Sequence, residues 1–180
     1  MAIDAATNIN EYLTSDRGAV LLERLPIFDG FSFEELARIY SLGEVRVYKP
    51  QSNILIEGES TVGMYLVLEG QVAVYKAGKG ANTEGHLLAH LGPGSAFGEM
   101  SFIDRQPRSA TVVAQGTVVA YYLDGLVWQK TLDAESALAQ RFFANFARVL
   151  CARLRSLDEQ LITSQKQLWK FALSRSNEVS

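Results

Sequence analysis

The residues able to do chemistry gather in one stretch: Phe97-Gly98-Glu99-Met100-Ser101-Phe102, then Pro107-Arg108-Ser109-Ala110-Thr111. Glycine lets a ligand approach the backbone closely, and one helical turn after it leaves N–H groups free to meet an anion. Arg108, nine residues after Glu99, can return to the same place on the next strand with a planar fork suited to phosphate oxygens. Glu99 can accept a hydrogen bond from a sugar hydroxyl, provided a cation in the same pocket balances its charge. Taken singly, Glu99 and Arg108 would make an ordinary surface ion pair and Gly98 an ordinary turn. Taken together they describe a site for a small sugar phosphate.

Other chemistries find little support. Cys151 is the single cysteine, so it closes no intrachain disulfide and no multi-thiolate metal site. His86 and His90, the two histidines, share a face of a predicted strand but have no third ligand nearby in sequence, and they are expected to be ordinary strand residues. No nucleophile stands with a base, and no metal cluster or dinucleotide loop is present, so the expectation is a binding protein and not an enzyme.

The elements that must position this stretch are legible in the hydrophobic period. From Val45 to Leu123 it is two: VRVY, NILIE, MYLVLEG, QVAVYK, HLLAHL, ATVVA and TVVAYYL are short, β-branched and aromatic, and turn clusters separate them. Seven or eight such strands predict a sandwich, jelly roll or barrel. Before them, a weak apolar stripe predicts a helix over roughly residues 10 to 25, closed by Pro26. A second follows in FSFEELARIY, where Ser32 and Glu35 form a capping box and Phe31 and Leu36 a hydrophobic staple. After a helical turn at Leu126 to Leu132, Asp133 is the expected N-cap of a long helix running beyond Leu168. Its residues Leu150, Leu154, Leu157, Leu161, Ser164 and Leu168 alternate steps of four and three, the seam of a coiled coil. A helix of some thirty-five residues extends about 50 Å, longer than a small domain is wide. Its proximal aromatics Phe142, Phe143 and Phe146, with Val149, are expected to pack on the strands.

Composition sets outer bounds. The 180 residues are 48% hydrophobic and 21% charged, which excludes disordered and low-complexity classes. A formal charge of −3 is the wrong sign for wrapping phosphate backbones. The N-terminus has neither a basic start nor an apolar run of signal-peptide length, and no run is long enough to span a bilayer, so a cytoplasmic chain with no membrane partner is expected.

The string FGEMSFIDRQPRSATVVA resembles the phosphate-binding cassette of cyclic nucleotide-binding domains: Gly-Glu, an aliphatic residue, a small residue, a short loop, then Pro-Arg, a small residue or Thr, and Ala. The resemblance extends over roughly residues 20 to 160, through LPIFDGFSFEELARI, ILIEGES, MYLVLEGQVAVY and LGPGSAFGE. It implies a mainly β fold, a double-stranded β-helix or jelly-roll-like β-roll, with N-terminal helices and a long C-terminal helix closing over the base. The divisions it implies are an N-terminal helical segment over 1–25, the β-roll with short helices over 26–133, and the long helix and tail over 134–180.

The same resemblance implies roles for single residues. Gly98, Met100 and Ser101 would present backbone N–H groups to the cyclic phosphate, Glu99 would accept from the ribose 2′-hydroxyl, and Arg108 would pair with a phosphate oxygen. Ser109 and Ala110 would add contacts near phosphate and sugar, while Val74, Leu88 and Phe97 line the apolar side. Arg153 would approach the base from the last helix, with Arg148, Cys151 and Ser156 as rivals. Two departures from the family pattern, Gln51 in place of a turn glycine and Thr61-Val62-Gly63 in place of a more acidic turn, are expected to leave the cassette untouched.

The function implied is a cyclic nucleotide sensor, cAMP-preferring with cGMP as the alternative, needing no cofactor besides that ligand. It would form a homodimer through the final helix and relay binding to an effector protein. After the long helix the sequence offers no room for a helix-turn-helix, so no DNA partner is expected. A coiled-coil scaffold with a retained nucleotide site, and a fragment of a longer kinase-regulatory or channel protein, stand as competing readings.

Overall fold

The computed structural model describes residues 14–78 and 85–177, apart from the side chains at 15, 160, 168 and 170–177. Helix α1 (Ser15–Glu23) begins five residues later than the apolar stripe predicts, and residues 10–13 lie outside the described residues. A 3-10 turn at Pro26–Phe28 leads to α2 (Phe33–Ser41). There the expected capping box forms: Ser32 Oγ accepts from Glu35 N at 3.2 Å, and Glu35 Oε2 accepts from Ser32 N at 2.8 Å. Phe31 and Leu36 are both buried in one cluster, as the staple requires.

The strands are β1 (Glu44–Tyr48), β2 (Asn53–Leu55), β3 (Gly63–Glu69), β4 (Val72–Lys76), β5 (His86–Leu91), β6 (Ala96–Phe97), β7 (Thr111–Ala114) and β8 (Val118–Asp124). A short helix α3 (Glu99–Asp104) separates β6 from β7. Two four-stranded antiparallel sheets result, ordered β1-β8-β3-β6 and β2-β7-β4-β5. Seven strands coincide with the seven predicted runs. The eighth, β6, has two residues and leads directly into α3.

Strands β3 and β8 of the first sheet are buried on both faces, which explains why β3 reads as an unbroken apolar run instead of alternating. Met64, Leu66, Tyr121 and Leu123 turn outward to pack with Ile39, Phe28 and Phe142 of the helices. Their neighbours Tyr65, Val67, Ala120 and Tyr122 turn inward to join Leu55, Phe97 and Val112 inside the roll. Tyr65 stacks on Phe97 with ring centroids 5.0 Å apart, so the strand leading into the Gly98 turn is fixed by an aromatic pair.

Helix α4 (Gly125–Ala134) is capped by Asp124, whose carboxylate accepts from Leu126 N at 2.9 Å and Val127 N at 3.1 Å. Asp133 therefore does not cap the long helix. It lies inside α4, where it accepts from Gln129 Nε2 one turn back, and the chain breaks at Glu135 with φ −129° and ψ 83°. The long helix α5 (Ser136–Asn177) follows. Its first turns are pinned to the N-terminal helices: Arg141 pairs with Glu35 and donates to Gly30 O, and buried Asn145 donates to Ile27 O and Asp29 O. Phe142 and Phe146 are buried among Phe28, Phe102 and Trp128, while Phe143, expected to pack with them, is 42% exposed on another face of the helix. No helix among the described residues is long and apolar enough to cross a membrane.

Candidate functional site

The end of β6, the first turn of α3 and the start of β7 meet under α5 around a cavity of about 420 Å³, within the range of small-molecule sites. Gly98 sits at φ +76°, and a Cβ there would fall 2.8 Å from Arg108 Nη1 and 3.2 Å from Gly63 O. Both the left-handed backbone and the close approach require glycine. The turn it starts carries Glu99 and Ser101 inward, both buried, and leaves Met100 exposed.

Arg108 is 3% exposed. Its Nε donates to Thr61 Oγ1 at 2.9 Å, and its Nη1 donates to Gly63 O at 2.8 Å, Gly98 O at 2.6 Å and Ser101 Oγ at 2.6 Å. Those acceptors are all uncharged. Among the described residues no carboxylate lies within ion-pair distance of it, and burial lowers its pKa, partly offset by the fields of Tyr65, Tyr122, Glu59 and Glu99. A buried guanidinium held rigidly by neutral oxygens has charge left for an anion.

Glu99 is 5% exposed, and its Oε1 is paired with Arg153 Nη1 of α5; Arg153 Nη2 also donates to Ala96 O at 3.1 Å. Roll and helix are thus joined by an ion pair across the cavity. Phe97 and Val74 line the cavity, as does Leu88, which stands 59% exposed on β5. Ser109 and Ala110 complete the wall beside β7, with Ser109 Oγ resting on Met100 Sδ at 3.6 Å and Ser109 O held by Lys76 Nζ at 2.6 Å.

Every residue to which the resemblance gives a role lines this one cavity, Arg153 included. Of its rivals Ser156 lines it as well, whereas Arg148 donates to Asn145 in a separate groove and Cys151 is exposed. The expectation that the Thr61-Val62-Gly63 turn leaves the cassette untouched is overturned, because Thr61 and Gly63 hold Arg108. Nothing local in the sequence signals contacts reaching across 47 and 45 residues. Leu55, Leu91 and Leu157, also cavity-lining, were legible only as strand and seam leucines.

Residues 45–135, half of the chain, match the model of the cyclic nucleotide-binding domain. The chain belongs to that family. A relative named cyclic AMP receptor protein, from Thermus thermophilus, is 32% identical over 141 residues, covering 76% of this chain and 60% of its own length. Glutaminase 1 of Bradyrhizobium diazoefficiens is 29% identical over 133 residues, covering 74% of this chain and 21% of its own length. Among solved structures, a cyclic nucleotide-binding domain from Methylobacillus flagellatus superposes with a TM-score of 0.69 at 26% identity, covering 82% of this chain and 80% of that one. The chain thus spans under two thirds of the two curated relatives. The family fold is the one described above.

Proposed function

We propose that this domain is a sensor that binds a cyclic mononucleotide, cAMP in preference to cGMP, in the cavity between the roll and α5. One observation carries the reading: a buried Arg108, with no acidic partner among the described residues, beside a glycine turn and a buried Glu99. The cyclic phosphate would take the N–H groups of Gly98, Met100 and Ser101 together with Arg108, and its charge would balance the guanidinium. Glu99 would accept the ribose 2′-hydroxyl, with Ser109 and Ala110 beside phosphate and sugar. Val74, Leu88, Phe97 and Leu157 would take the apolar surface of sugar and base. Such a site holds its ligand unchanged and performs no catalysis.

Relay to an effector would run through α5, which carries Arg153 at the cavity and is pinned to the N-terminal helices by Arg141 and Asn145. The same helix exposes Leu150 (40%), Leu154 (60%), Leu157 (59%) and Leu161 (58%) in coiled-coil spacing; the side chain of Leu168, expected to continue the stripe, lies outside the described residues. The proposed occupant of this face is a second copy of the chain, because burying each leucine is worth roughly 1.5–3 kcal/mol, enough together to offset the entropy of association. Phe143, also exposed, stands two layers further toward the start of the helix in the same spacing, with Ala147 between.

Thermal unfolding with cAMP and with cGMP tests the reading: a ligand at a hundred times its Kd adds about 2.7 kcal/mol. Competition of the two nucleotides against a fluorescent analogue measures the preference, and tenfold tighter cGMP would reverse it.

A further inference from the structure

The ladder that joins β7 to β4 ends short of the cavity. Its last pair is Tyr75 with Thr111, and beyond it Ser109 and Ala110, which line the cavity, form a bend outside the ladder. On one side this stretch is tied by backbone bonds: Gly58 N donates to Arg108 O and Arg108 N donates to Glu59 O, each at 2.9 Å. Toward β4 the tie is a side chain. Lys76, the last residue of β4, donates from Nζ to Ser109 O at 2.6 Å and meets Glu57 Oε1 at 2.8 Å. Glu57 is fixed in turn, since its Oε2 accepts from Ala77 N at 2.8 Å and its N donates to Thr111 Oγ1 at 3.0 Å. The Lys76–Glu57 pair thus braces the bend where the sheet no longer does.

Lys76 does not itself line the cavity, and its charge is matched by Glu57, so it acts through what it holds. With the Ser109 carbonyl turned to Lys76, the planar peptide that follows has one orientation. Ser109 Oγ then rests on Met100 Sδ at 3.6 Å, bridging the bend to the first turn of α3. Released from Lys76, that exposed carbonyl is free to turn to water, and Ser109 has no other backbone tie among the described residues. We infer that Lys76, braced by Glu57, is a positioning residue of the nucleotide site: it fixes Ser109 against the cavity before the ligand arrives, so that this ordering is not charged to binding. The inference rests on the nucleotide-binding reading above.

The test is calorimetry of the full chain with cAMP, alongside unfolding melts without nucleotide. Lys76→Met combined with Glu57→Gln removes the brace at constant net charge, so the field at the cavity is kept. Ordering one side chain is worth about 0.5–1.5 kcal/mol, so this variant should bind cAMP about two- to tenfold more weakly. Its melt without nucleotide should barely move, because an ion pair this exposed contributes little to the fold. Lys76→Arg, which keeps donor and charge, should bind within twofold of wild type. In a Ser109→Ala background the same double change should cost less, since the hydroxyl it places is gone. A loss under twofold, a loss that Lys76→Arg shares, a loss matched by equal destabilisation of the free chain, or one undiminished in Ser109→Ala overturns the positioning role while the nucleotide site stands. A folded wild type that binds no cAMP overturns the nucleotide reading and this inference with it.

Discussion

Arg108→Leu separates the two tasks of the buried guanidinium. In the folded chain the substitution removes four hydrogen bonds, to Thr61 Oγ1, Gly63 O, Gly98 O and Ser101 Oγ. Each is worth about 0.5–1.5 kcal/mol net. The loss is partly offset, because a charge with no acidic partner no longer has to be kept out of water. Gly98 O keeps the bond from Ser101 Oγ at 3.1 Å, so the main debit is the loss of the donor to Gly63 O and Thr61 Oγ1, and the fold should lose about 1–3 kcal/mol. Binding suffers more, since the cyclic phosphate would enter a buried site with no cation: on the order of 3–5 kcal/mol, two to four decades in affinity. Denaturant melts give the first quantity and calorimetry at a temperature where the variant is folded gives the second. A folded Arg108→Leu protein that binds cAMP within threefold of wild type would refute the assignment of the cassette.

Other outcomes follow from single residues. Gln51 adopts φ +62°, a conformation that costs most side chains about 1 kcal/mol relative to glycine, so Gln51→Gly should stabilise the chain by about 0.5–1 kcal/mol; an unchanged or lowered denaturation midpoint counts against it. Leu154→Asp with Leu161→Asp should convert a dimer at tens of micromolar into a monomer by sedimentation, and a monomeric wild type or an unaltered dimer in the variant sinks the seam. Although burial pushes the Glu35 carboxyl up, the bonds from Ser32 and Arg141 and the nearby positive charge hold it below 4.5. The stability this provides is present above that pH and is lost as pH falls through the depressed folded value, so Glu35→Gln should flatten the acid limb of a pH–stability curve.

Much of this architecture was legible because its signals are local. Strand runs, the Ser32 and Glu35 box and the Gly98 to Ala110 string each depend on neighbours in sequence, and each stands where its spacing puts it. Asp133 misled because two acidic residues, Asp124 and Asp133, both precede helical stretches, and only the backbone shows that the first caps α4 and the second lies within it. Phe143 misled because aromatic character does not tell which face of a helix meets the core; its neighbour Phe142 is fully buried. Gln51 was visible as a departure from a turn glycine, and the left-handed backbone there shows that the turn persists without it. The carbonyl and hydroxyl that hold Arg108 come from a turn far away in sequence, which no periodicity reveals.

The most direct measurement is a calorimetric titration of the wild-type chain with cAMP and, separately, cGMP. Saturable binding of one nucleotide per chain is expected, with cAMP the tighter ligand. Absence of saturable binding of either nucleotide at millimolar concentration, by a chain shown to be folded, would contradict it.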